Sequence, residues 1–247
     1  PEMRYSVGVH PLDTEHWRDD TVAVLRRAAL EDDRVVAIGE LGLDLFRDKN
    51  LEEQLAVLRP QLDLAVELNL PVIIHCRDAA EPMLEELRAR KAQGRCPGGV
   101  MHCWGGTPDE MHQFLELGFY ISFSGTVTFP KAEPTHDCAR QVPEDRFLVE
   151  TDCPFLAPCA PPRQAQRACF CGLCCHAGGR AAGRGSRQRG LQQHRQRPAF
   201  VRTPITGVPR VSSPYVRCCI GLAMRRIPSC VWCLKRPFPS GALVVVS

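Results

Sequence analysis

An α/β fold built on a parallel sheet is what this sequence predicts for residues 1–158, and three observations predict it. Six short runs rich in Val, Ile, Phe or Tyr alternate with amphipathic stretches. The runs recur at intervals of roughly 20–36 residues, which leaves room for one helix between successive parallel strands. A (β/α)₈ barrel and a doubly wound sheet share that spacing. No glycine-rich phosphate loop follows any run, which disfavours the nucleotide-binding version.

The expected strands, in order, are Tyr5–Val9, Val35–Gly39, Pro71–His75, Gly99–His102, Phe119–Phe123 and Phe147–Glu150. Each is about as long as a buried strand. Leu51–Leu68 reads as a helix, because Leu51, Leu55, Leu58, Leu62, Ala65 and Val66 recur at helical spacing. Pro60 is expected to interrupt or kink it. Asp78–Lys91 reads as a second helix, with Met83, Leu84 and Leu87 on one side.

Charge divides the chain in two. All 28 acidic residues lie between Glu2 and Asp152. Residues 1–158 carry 16 basic side chains against those 28, a net of −12, whereas residues 159–247 carry 15 basic and no acidic side chains. From Cys159 the chain is rich in Arg, Gly, Pro and Cys, with no clear apolar period until its last few residues. That composition predicts a basic tail, 159–247, without a packed core. Its charge could hold nucleic acid. Cys171, Cys174, Cys230 and Cys233 form two Cys-x-x-Cys pairs, but 55 residues separate them, against about 15–20 in usual zinc ribbons. No apolar run of 18 residues predicts a membrane span. The start, Pro1-Glu2-Met3-Arg4-Tyr5, does not read as a signal peptide. The expected compartment is a reducing cytoplasm, or the nucleus in a eukaryote, because the first six cysteines are scattered through apolar segments.

Four potential metal ligands stand at or just after the C-terminal ends of expected strands: Glu40, His75, His102 and Asp152. Ligands and catalytic groups collect at that edge of parallel α/β folds. A single histidine at a strand end is most often a hydrogen-bonded core residue. Four such groups on four strands are harder to dismiss, and the mixed N/O set suits Zn²⁺, Mn²⁺ or a hydrolytic metal pair better than Ca²⁺.

Five segments occur in order: Gly8-Val9-His10-Pro11, Ile38 to Asp44 (IGELGLD), Pro71 to Ala79 (PVIIHCRDA), Met101 to Gly106 (MHCWGG) and Glu150 to Pro154 (ETDCP). Together they resemble the signature motifs of the TatD family of metal-dependent deoxyribonucleases, over about residues 5–158. The resemblance implies a TIM-type (β/α)₈ barrel with two divalent cations (Mg, Mn or Zn) at its mouth. It implies that Glu40 bridges both ions and that His75 and His102 complete the second. Asp152 would ligate the first and orient the attacking water. His10 resembles the family's mouth-lining histidine, a substrate contact. Arg77 would meet a phosphate or form a structural salt bridge. The implied reaction is hydrolysis of DNA phosphodiesters by metal-activated water, with DNA as the partner and no membrane or protein partner.

Two departures from the family pattern shape the expectations. The family begins with a His-x-His strand and a second strand, so the six strands here match family strands three to eight of an incomplete barrel, truncated at its N-terminus. The chain is therefore expected to hold about one tight divalent ion. After the Asp motif the family continues with Arg-x-x-x-Asn-Glu-Pro. Read one nucleotide later, degenerate codons for Pro162–His176 permit a segment containing Arg-Asn-Glu-Pro, so the tail is expected to reflect a frameshifted or mis-spliced reading. Two other functions compete with the nuclease. One is a related barrel hydrolase acting on an amide or ester, disfavoured because no lysine ends a strand to bridge metals as a carbamate. The other is an inactive truncated product.

Overall fold

The computed structural model describes residues 4–152, 155, 156 and the backbone of Leu243–Val245. Its frame is one sheet of seven strands: β1 (Tyr5–Gly8), β2 (Val35–Asp44), β3 (Val72–Arg77), β4 (Gly99–Met101), β5 (Tyr120–Phe123), β6 (Phe147–Val149) and β7 (Leu243–Val245). Their spatial order is β6-β5-β4-β3-β2-β1-β7, so the first six neighbour one another in chain order. All pairs among β1–β6 are parallel. One α-helix fills each crossover: α1 (Thr21–Glu31), α2 (Leu51–Leu68), α3 (Ala80–Ala92), α4 (Pro108–Glu116) and α5 (Glu133–Gln141), with short 3-10 helices at Pro11–His16 and Gly125–Thr128 in the first and last. This is the expected six-strand portion of a barrel, open among the described residues.

The helices contribute Leu25, Leu58, Leu62, Met83, Leu87, Met111 and Phe114 to one large core with the strands. Alternate strand residues face the other way, as the period of two requires. There Ala37, Ile73 and Val100 form a separate small cluster with Tyr120 and Leu148. By the same period His75 shares a face with Ile73, and His102 with Val100. The helix-free face thus carries the histidines.

Two expected strand ends move by more than one residue. β2 runs ten residues to Asp44 and β3 to Arg77, because the two strands pair out to Asp44 opposite Arg77. Glu40 and His75 therefore stand inside strands. α2 covers the expected Leu51–Leu68 and runs through Pro60 without the expected break. Proline removes the bond to the carbonyl of Ala56, but Ala56 is exposed and water can replace it. Asn50 caps this helix by accepting from the Glu53 N–H. Most of the expected core-free tail lies outside the described residues. Within it, Leu243–Val245 pairs antiparallel with β1. Its apolar, β-branched run meets the otherwise unpaired backbone of an edge strand.

Candidate metal centre

Five side chains converge toward the C-terminal half of the sheet, Glu40 and His75 from within β2 and β3 and His10, His102 and Asp152 from just beyond β1, β4 and β6. Glu40 sits where the β2–β3 register shifts between Gly39 and Leu41. A bulge of this kind takes one residue out of the ladder and re-aims its side chain. Gly42, just beyond, has a φ of +150°, and a Cβ there would come within 1.8 Å of the His75 carbonyl oxygen. Only glycine permits this close approach of β2 to the strand that carries His75. His102 follows β4 directly. Asp152 has a left-handed φ of 52°, which an aspartate tolerates.

One oxygen is common to all three imidazoles. Glu40 Oε1 lies 2.9 Å from His75 Nδ1, 3.6 Å from His10 Nε2 and 3.8 Å from His102 Nε2. Asp152 Oδ1 lies 3.2 Å from His102 Nε2. The rings of His10 and His75 meet edge to face, 4.5 Å between centroids.

Behind two of these imidazoles stands a buried carboxylate. Asp44 Oδ2 is 3.0 Å from His75 Nε2, and Glu150 Oε2 is 2.8 Å from His102 Nδ1. Asp44 is 1% exposed and Glu150 3%, so both geometries are fixed by packing. A neutral imidazole carries one N–H. Once that hydrogen is given to the buried carboxylate, the other ring nitrogen offers a lone pair toward Glu40 or Asp152. Lone pairs 2.9–3.2 Å apart need a proton or a cation between them. Two ligands about 2.1 Å from one cation and at right angles to each other lie about 3 Å apart, so the spacing fits a metal. The carboxylate–histidine–metal relay is the usual way such ligands are oriented.

The titration of these groups points the same way. Burial would raise the Glu40 carboxyl, but His102, His10 and His75 outweigh it and hold it well below the usual range. Burial would lower His102, but Glu150, Glu40 and Asp152 outweigh that and lift it well above an ordinary histidine. Positive charge is wanted among these groups.

His10 differs from the other two. Its Nδ1 accepts from the Leu12 N–H at 3.1 Å, so in the neutral ring Nε2 bears the hydrogen facing Glu40. Sequence reasoning placed His10 as a substrate contact, yet a ligand atom of His10 also lies within 4.8 Å of those of Glu40 and His75. Arg77 is exposed at the end of β3. Among the described residues its side chain makes no ion pair or hydrogen bond, and its guanidinium lies 4.0 Å over the ring of Phe46.

Sequence reasoning missed four supporting residues. Asp44 and Glu150 were visible only as letters within the motifs that supplied Glu40 and Asp152. Gln54 and Gln61, seven residues apart on α2, are both buried. Gln61 accepts from the Val9 N–H at 2.7 Å and donates to the Val9 carbonyl at 3.1 Å, which fixes the residue preceding His10. Gln54 does the same for Asp44, at 2.7 and 3.1 Å. Their only signal was a polar amide beside the apolar stripe of Leu51–Leu68.

The family model described as TatD related DNase matches residues 1–202, a longer span than the motifs cover. An uncharacterized metal-dependent hydrolase of Escherichia coli K12, YcfH, is 47% identical over 156 residues, 62% of this chain and 57% of its own. The 3′-5′ ssDNA/RNA exonuclease TatD of Erwinia billingiae is 38% identical over 171 residues, 67% of this chain and 64% of its own. The chain thus spans about three fifths of the length of the curated relatives it matches. The crystal structure of YJJV, a TatD homolog from Escherichia coli K12, superposes with a TM-score of 0.71 at 28% identity. It covers 77% of this chain and 73% of that one. A TatD family hydrolase from Entamoeba histolytica shares the fold, with a TM-score of 0.63 at 23% identity, over 77% of this chain and 72% of its own.

Proposed function

The chain belongs to the TatD related DNase family, and from that premise we propose that it is a divalent-metal-dependent phosphodiesterase acting on single-stranded DNA ends. The observation that carries this reading is the paired relay. His75 and His102 each give one nitrogen to a buried carboxylate and turn the other toward Glu40 or Asp152.

In this reading Glu40, His75, His102 and Asp152 hold the cation, with Glu40 central to the set. A divalent cation held there supplies Lewis acidity toward a water and a phosphoryl oxygen. The remaining work belongs to the protein. Asp152, partly exposed beside His102, is placed to accept a proton from the attacking water. His10, with its hydrogen on Nε2, faces into the cluster as a donor to a substrate oxygen. The unpaired guanidinium of Arg77 receives the phosphate. Asp44 and Glu150 keep the two imidazoles in the tautomer that presents a lone pair.

The relative named a 3′-5′ ssDNA/RNA exonuclease supports this substrate class. An amide or ester hydrolase with a carbamylated lysine has less support, since no lysine lies in or directly after β1–β6. Incubation of the purified chain with a 5′-labelled single-stranded oligonucleotide and Mn²⁺ or Mg²⁺ tests the reading. Stepwise shortening that EDTA and Glu40→Gln abolish is expected. Hydrolysis of a p-nitrophenyl ester with no shortening of the oligonucleotide would overturn it.

A further inference from the structure

Four large apolar side chains are more than a third exposed among the described residues: Leu12, Leu30, Phe46 and Phe155. Leu30 lies on α1, and Leu12 lies in the short 3-10 helix Pro11–His16. Three of the four follow a residue of the candidate centre by two or three positions: Leu12 after His10, Phe46 after Asp44, and Phe155 after Asp152. Exposed apolar side chains gathered at the rim of a polar site mark where a ligand with an apolar face is taken up.

Phe46 has the most developed setting. It is 55% exposed, and the Arg77 guanidinium stacks over its ring at 4.0 Å. Its backbone is not loose. The N–H groups of Phe46 and Arg47 both donate to Asp44 Oδ1, at 3.1 and 2.8 Å, while the other oxygen of the same carboxylate meets His75. The Leu45 N–H donates to the Arg77 carbonyl at 2.9 Å, so the two loop ends are tied across β2 and β3. One buried carboxylate therefore fixes both a candidate metal ligand and an exposed aromatic ring.

We propose that Phe46, with Arg77 against it, is a stacking platform that seats a base of the single-stranded substrate beside the candidate metal centre. The proposal rests on the nuclease reading and names a subsite within it. A ring and a guanidinium plane accept any base face, since every base is aromatic, and the cation faces the adjoining phosphate. Recognition of this kind is indifferent to base identity but requires that a base be present. Double-stranded DNA, whose bases are already stacked, does not satisfy it.

Binding is measured by fluorescence anisotropy in EDTA, so that no cleavage intervenes, with the full chain and two labelled probes: an oligothymidylate and an abasic oligonucleotide of equal length. The parent is expected to bind the oligothymidylate more tightly. Phe46→Ala should weaken that binding about five- to 100-fold, the range of one base–aromatic stack, and leave the abasic probe unchanged. Phe46→Tyr should keep the parent's affinity. Arg77→Gln should weaken both probes, because it removes the phosphate contact as well. An equal effect of Phe46→Ala on both probes, no effect on either, or no preference by the parent overturns the platform. A parallel cleavage assay with Mn²⁺ separates the two readings. Absence of cleavage by the parent, with discrimination intact in EDTA, sinks the nuclease reading and leaves the platform standing.

Discussion

Replacing Gln54 by Leu tests how the interior of α2 supports the candidate centre. Gln54 is 1% exposed and makes three hydrogen bonds: from the Asp44 N–H at 2.7 Å, and to the carbonyls of Asp44 and Asp48 at 3.1 Å each. Leucine has nearly the same volume, so little cavity forms. The Asp44 N–H, however, loses its partner in the interior, at a cost of about 1–3 kcal/mol. The Asp44 carbonyl keeps the Asp48 N–H at 3.3 Å and loses one bond of two, about 1 kcal/mol more. The Asp48 carbonyl is nearer the surface and can take water. The sum is about 3 kcal/mol. With a urea dependence of about 2 kcal/mol per molar, the unfolding midpoint should fall by about 1.5 M. Because Asp44 orients His75, affinity for Mn²⁺ should also fall by about ten- to 100-fold. Urea melts followed by circular dichroism, with Mn²⁺ titration of the same samples, measure both. A midpoint shift below about 0.3 M with unchanged Mn²⁺ affinity would refute the claim that α2 holds Asp44 through this amide.

Other consequences are equally open to measurement. Burial would raise Glu86, but Arg59 and Arg90, at 2.9 and 2.7 Å, outweigh it and hold it below its ordinary value of 4.5. A lowered folded-state value stabilises the fold above pH 4.5, and that contribution is lost as pH falls through the folded value. Glu86→Gln should therefore be less stable than the parent at pH 7, with the gap closing in acid melts below pH 4.5. Burial pushes the thiols of Cys76 and Cys103 up to about 12 and that of Cys138 up to about 11. Peptide mapping after brief iodoacetamide treatment at pH 8 should find all three unlabelled in the native chain and labelled in urea. Gly42→Ala should lower the melting temperature by several degrees, since its Cβ would collide with the His75 carbonyl.

Much of the fold was legible because each buried parallel strand writes an apolar run and because the long apolar period of Leu51–Leu68 has one reading. The shorter helices were not named from sequence. α1 buries only Thr21 and Leu25, and α5 buries only Thr135, Cys138 and Ala139, too few to mark a face. α4 opens with a full capping box, Thr107 with Glu110, a sequence signal that went unused. At the site, Glu40, His75, His102 and Asp152 were visible because strand ends in parallel sheets collect ligands. What held them was not visible. Gln54 and Gln61 look like ordinary surface residues of a helix until the fold turns them onto Asp44 and Val9. Glu40 was read as a strand end because a bulge, which no composition records, lets β2 continue past it. Phe46 was overlooked because one exposed aromatic carries no period. Among the described residues no helix is long and apolar enough to cross a membrane, as the hydropathy predicted.

Metal content is the measurement that tests the central claim most directly. Purified full chain, loaded with Mn²⁺ or Zn²⁺, dialysed and analysed by inductively coupled plasma mass spectrometry, should carry about one ion per chain, because His75 and His102 both face the single oxygen Glu40 Oε1. His75→Ala and Glu40→Gln should each remove it, with circular dichroism confirming that the variants stay folded. Unchanged metal content in both variants, or two tight ions on the parent, would contradict this assignment of the ligands.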